Sequence, residues 1–140
     1  MATGVIKVEG LAEFNRSLRR LDRNAPKALR LAGNVAAGIV VKEAKPRVPL
    51  GPGKGGHARS SLKAASTRTA ARVSAGGNKF PYYGWLDFGS KKKYPRLPVR
   101  PFRKRGRYIW AAFGDRREDV QETLREELVA AAESAGLGVS

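Results

Sequence analysis

The chain contains no cysteine, so no disulfide framework, thiolate metal site or thiol nucleophile can be built from it. It has a single histidine, His57, set in a glycine-rich stretch that reads as a solvated loop. A zinc site needs several nitrogen or sulfur ligands, so neither a metal nor a cofactor is expected. No uninterrupted apolar run reaches the roughly 18 residues of a membrane span. The start, Met-Ala-Thr-Gly into Val5-Ile6-Lys7-Val8, offers no basic n-region, apolar core or cleavage site. A soluble, cytosolic protein without a membrane partner is the expectation.

Acidic residues are also scarce. There are 12 Asp and Glu against 28 Lys and Arg, a formal net charge of +16, and the neighbour this implies is a polyanion or an acidic protein surface. Seven of the acids fall in residues 115–140 with three bases, which leaves five acids and 25 bases in residues 1–114. The body is therefore strongly basic and the tail acidic. The five acids of the body are scattered singly rather than paired for proton transfer, and Ser60 and Ser61 have no histidine partner placed by any known motif. Gly51-Pro-Gly-Lys-Gly-Gly is rich in backbone N–H groups, yet it lacks the Gly-Lys-Ser/Thr of a phosphate loop and follows no apolar strand. No enzyme is expected.

With 140 residues, one domain covering 1–140 is predicted. Val5 to Val8 reads as a short strand closed by Gly10. Leu11, Phe14, Leu18 and Leu21 recur at helical steps, with Arg16, Arg19, Arg20 and Arg23 on the remaining faces. Asn24 and Pro26 form a helix-start signal. Leu29, Ala32, Val35, Ala36, Ile39 and Val40 give the next helix its apolar stripe, and Pro46 ends it near Ala44 or Lys45. The Gly/Pro run at about 50–58 lacks side chains that pack and is predicted to be a flexible loop. Arg59 to Ser74 suits a strand pair with one polar face, and Tyr82 to Phe88 is the strongest strand candidate because of its aromatic content. Pro95, Pro98 and Pro101 enforce an extended crossing. Ile109, Phe113, Val120, Leu124, Leu128 and Ala132 then predict one long helix, bent at Gly114 and ended by Gly136 and Gly138. The fold class is α+β: a mainly antiparallel sheet with two N-terminal helices and one long C-terminal helix packed on one face.

Two segments stand out as candidate contact surfaces. Lys91, Lys92, Lys93, Arg96, Arg100, Arg103, Lys104, Arg105 and Arg107 follow one another without an intervening acid. That density of like charge calls for a compensating partner, either DNA phosphates or a carboxylate-rich subunit. Tyr94 and Tyr108 are too few for a base-stacking platform, and no helix-turn-helix, finger or RNA-binding motif points to sequence-specific readout. In the aromatic segment, strand alternation sends Tyr82, Gly84, Leu86 and Phe88 to the core and Tyr83, Trp85 and Asp87 outward, where they have the composition of an interface hot spot. Glu118, Asp119, Glu122, Glu126 and Glu127 cluster on the solvated face of the last helix.

Taken in order, Glu9-Gly10-Leu11 leading into Phe14 and Leu18, Ala44-Lys45, Val48-Pro49, a glycine loop, Ser60-Ser61-Leu62, Tyr83-Gly-Trp-Leu-Asp-Phe-Gly89 and Arg100-Pro-Phe102 before the last helix form a recognisable pattern. This pattern resembles the neck or tail-completion (head-tail joining) proteins of long, non-contractile-tailed phages and related prophages. In that family the acid before Phe-Gly is usually glutamate, where Asp87 stands here, and the loop after Pro49 is shorter. The resemblance implies a virion subunit without catalysis. It would assemble in the host cytoplasm into a six-fold or twelve-fold homo-oligomeric ring, between neighbouring connector proteins and the tail-terminator or tail-tube proteins, around packaged double-stranded DNA. Under this reading Tyr83, Trp85, Asp87, Phe88, Gly89, Arg100, Pro101, Phe102, Glu122 and Glu126 lie at subunit interfaces. Lys91, Lys92, Lys93, Arg96, Arg103, Lys104, Arg105 and Arg107 face DNA or an acidic partner. The alternative is a general, ribosome-associated-like nucleic-acid-binding protein, to which the pI near 11.0 also points.

Overall fold

The computed structural model describes residues 2–6, 10–21, 23, 25–50, 57–77, 79–91 and 99–134. They form a mixture of helix and antiparallel strand in which helix predominates. The elements are β1 (Ala2–Ile6), α1 (Leu11–Leu21), α2 (Ala25–Ala44), β2 (Lys63–Ala64), β3 (Ala71–Ala75), α3 (Tyr83–Phe88), α4 (Ile109–Asp115) and α5 (Arg117–Ser134), with 3₁₀ turns at Lys45–Arg47 and Ala58–Ser61.

The central element is α2. Its buried residues Leu29, Ala32, Ala36, Ala37, Val40 and Ala44 recur at three- and four-residue steps, and alanine at so many of these positions lets neighbours approach closely. It packs against β2 and β3 as well as against α1, α4 and α5. Pro46 sits inside the 3₁₀ turn that follows α2, as expected where a proline removes a helical donor. The principal core joins α2 to Val48, Leu62, Val73, Phe80, Tyr83, Ile109, Val120 and Leu124. A smaller cluster, Leu29 and Ala132 with Phe14, Leu128 and Ala131, closes the other end. Leu29 near the start of α2 thus meets Ala132 near the end of α5, while Glu43 at the end of α2 pairs with Arg116 just before α5, so the two helices run antiparallel.

The sheet has the order β1-β3-β2 with both pairings antiparallel. It is smaller than the sequence suggests, for two reasons. The strand pair expected over 59–74 begins with a 3₁₀ turn and contributes only β2 and β3. The aromatic segment, read as the strongest strand, is the helix α3. The predicted single C-terminal helix is also two helices. The break falls at Arg116, whose φ of −112° and ψ of 18° leave the helical region, and not at Gly114, which lies within α4. Arg116 is held there by carboxylates on both sides, Glu43 at 3.7 Å and Asp119 at 2.8 Å. Residues 51–56 of the glycine loop, Asn24, and Gly136 and Gly138 lie outside the described residues. Among the described residues no helix is long and apolar enough to cross a membrane.

Candidate functional site

The helix α3 is only six residues long and is built from types with modest helix propensity. What holds it is tertiary. Tyr83 and Asp87, four residues apart, project from one face into the core, where both are fully buried. The Tyr83 hydroxyl donates to Asp87 Oδ2 at 3.0 Å. The other carboxylate oxygen, Oδ1, accepts the backbone N–H of Arg107 at 2.6 Å and that of Tyr108 at 3.0 Å. Asp87 therefore fastens α3 to a segment 20 residues further along the chain. Burial, and after it the adjacent Asp87 charge and hydrogen bond, push the Tyr83 phenol far above its ordinary range.

Around this carboxylate the chain from 86 to 90 is tied to the chain from 100 to 108. The Arg100 guanidinium donates to Leu86 O at 2.6 Å and to the Tyr108 hydroxyl, and lies over the rings of Trp85 and Tyr108 at 5.5 and 6.0 Å. Arg107 donates to Asp87 O at 2.9 Å and to Pro101 O. Backbone bonds from Ser90 N–H to Arg100 O (3.0 Å) and from Arg103 N–H to Phe88 O (2.8 Å) complete the tie. Gly89 and Gly106 both have positive φ, 75° and 71°, a region that favours glycine. A methyl group at Gly106 would overlap Asp87 Oδ1, and one at Gly89 would overlap Pro101 O.

The expected division of faces thus fails at three residues, while Leu86, predicted to face the core, does pack against it. Tyr83 and Asp87, predicted as interface residues, are interior, while Tyr82, predicted as core, is 43% exposed. The side chains follow the helical period rather than the strand period. Trp85, Phe88, Gly89 and Arg100 are half-buried, and Pro101 and Phe102 are exposed. The Phe102 ring has Lys91 Nζ 5.1 Å from its centre. Of the residues predicted to face DNA or an acidic partner, Lys91, Arg103, Lys104 and Arg105 are exposed. Arg107 is half-buried, and two of its guanidinium nitrogens are engaged by carbonyls of its own chain. Burial and the nearby charges of Arg100 and Arg103 lower its pKa. Lys92, Lys93 and Arg96 lie outside the described residues. Glu122 and Glu126 are exposed on α5.

The role the geometry gives Asp87 is structural: its side chain has no solvent exposure and accepts three hydrogen bonds. Among the described residues no three His, Asp or Glu side chains converge as metal ligands. The glycine loop has a second tie that sequence reasoning missed: Arg59 donates to Val48 O at 2.6 and 3.0 Å and to Pro46 O at 3.2 Å, joining the chain on either side of residues 51–56. Comparison of the chain with protein-family models, with curated proteins and with solved structures found no match.

Proposed function

We propose that the chain is a structural, non-catalytic subunit of a phage head-tail connector, a neck or tail-completion protein that forms a ring around the DNA channel. The observation that carries this reading is the tie between the acid-Phe-Gly segment and Arg100-Pro-Phe102. These are the most specific parts of the resemblance, and in the fold they share one buried carboxylate and two arginines. The result is a rigid base from which exposed Phe102, Arg103, Lys104 and Arg105 are presented to a neighbour. The acidic face of α5, with Glu122 and Glu126, is the complementary surface for the basic body of the next subunit, a head-to-tail contact that closes into a ring. In this reading the helices gather on one face of the sheet and leave its edges to adjoining subunits.

The exposed Arg103-Lys104-Arg105 run also suits the second reading, general nucleic-acid binding. Light scattering of the purified protein across a salt series, with and without short duplex DNA, separates the two. Discrete ring-sized oligomers are expected. Tight, steeply salt-dependent DNA binding by a protein that stays monomeric at every concentration would displace the connector reading in favour of the second.

A further inference from the structure

We propose that a groove between the start of α2 and the tip of the β2–β3 hairpin binds the phosphate backbone of duplex DNA. The groove is open to solvent, spans about 720 Å³ and is lined by Lys27 and Arg30 from the first turns of α2 and by Thr67, Arg68, Thr69 and Arg72 from the hairpin. Among the described residues no acidic side chain contributes to its walls. Among the described residues none of these four cations forms an ion pair, whereas Arg47 and Arg116 are each met by two carboxylates. Four like charges converging without a counter-charge repel one another, and an incoming polyanion relieves that repulsion.

The walls are rigidly positioned. Asn34 Oδ1 on α2 accepts the Ser66 N–H at 2.9 Å, and Ser66 Oγ accepts the Arg72 N–H at 3.0 Å. The absence of a side chain at Gly33 lets the hairpin come close, since a Cβ there would lie 2.9 Å from Ser66 Cβ. The hairpin is closed by Ala65 N–H to Arg72 O and Thr67 N–H to Ala70 O, both 2.9 Å. The groove also faces the positive end of a 20-residue helix with no acid in its first turn.

The lining selects the ligand. Three of the four cations are arginines, whose planar fork matches paired phosphate oxygens, and the Thr67 and Thr69 hydroxyls, 3.4 Å apart and paired with each other, leave one neutral donor of the kind common at DNA backbones. Among the described residues no aromatic ring lines the groove, which gives no stacking platform of the kind single strands require. The groove therefore holds duplex backbone without reading base sequence. This assignment does not depend on ring formation.

The test is fluorescence anisotropy of the full chain with a labelled duplex, over a salt series. The pair Arg30→Gln and Arg68→Gln is compared with Arg117→Gln and Arg125→Gln on α5, which removes the same charge elsewhere. The groove pair is expected to weaken binding about tenfold or more and to reduce the salt slope by about 2, while the control pair weakens it less than about threefold. Equal losses from both pairs, or a larger loss from the control, would overturn the proposal in favour of a diffuse field. Binding of polyglutamate, but not of duplex, by the unmodified chain would overturn it in favour of an acidic protein ligand. Light scattering on the same samples reads ring formation separately, so failure of the groove and failure of the connector reading are distinct results. All substituted residues are exposed. Should Arg30→Gln lower the melting temperature, Lys27→Gln with Arg68→Gln repeats the comparison.

Discussion

Replacing Asp87 with alanine removes one acceptor from three donors at once. The Tyr83 hydroxyl is wholly buried, so its loss of a partner costs about 1–3 kcal/mol. The N–H groups of Arg107 and Tyr108 belong to half-buried residues that water can reach, so each costs about 0.5–1.5 kcal/mol. The expected destabilisation is about 3–5 kcal/mol, which for a domain of this size lowers the melting temperature by about 10–15 °C. Urea unfolding followed by circular dichroism measures it, with an unchanged denaturant slope showing that stability and not compactness has altered. A double-mutant cycle isolates the buried part. Tyr83→Phe is expected to cost about 1 kcal/mol in the parent chain and close to nothing beside Asp87→Ala, where the hydroxyl already lacks its acceptor. A loss below about 1 kcal/mol for Asp87→Ala, or strict additivity in the cycle, would refute the view that this carboxylate holds α3 to the 100–108 segment.

Gly106→Ala combines a positive φ with overlap onto Asp87 Oδ1 and is expected to cost about 3 kcal/mol, read in the same urea assay. Tyr83 gives a pH dependence of defined sign. The native state keeps the phenolic proton at pH values where the unfolded chain loses it, so the stabilisation is complete below about pH 10 and declines by about 1.4 kcal/mol per pH unit above that. The stability of the parent chain relative to Tyr83→Phe should therefore fall between about pH 10 and 11.5, and a constant difference would contradict the burial argument. Reversing Glu122 and Glu126 to lysine should leave the monomer folded and weaken ring assembly in light scattering. Unchanged rings would rule out α5 as the acidic side of the contact.

The helices around α2 were legible because their periodicity extends over several turns. Leu29, Ala32, Ala36 and Val40 mark one face, and Pro26 and Pro46 bracket the element. In the aromatic segment two kinds of signal competed over six residues. Composition favoured a strand, while Tyr83 and Asp87 at helical spacing, Pro81 before them and Gly89 after them favoured a helix. The decisive partners, the N–H groups of Arg107 and Tyr108, are some 20 residues away, where a local reading has no access to them. For the same reason Arg107 read as an outward charge among similar neighbours, although its acceptors are carbonyls brought near by the fold. The hairpin groove left almost no trace in the sequence, because Lys27 and Arg30 are about 40 residues from Arg68 and Arg72 and no local run of charge joins them.

The bonds that close Ser90 onto Arg100 and Arg100 onto Leu86 have a consequence for how this surface can diverge. Doubling the length of an insert between two such closing residues costs only about 0.6 kcal/mol in closure entropy. The sequence between Ser90 and Arg100 is therefore expected to be exchangeable. Its charge can be raised, removed or inverted to suit a different partner while Asp87, Gly89, Gly106 and the two arginines continue to hold the base.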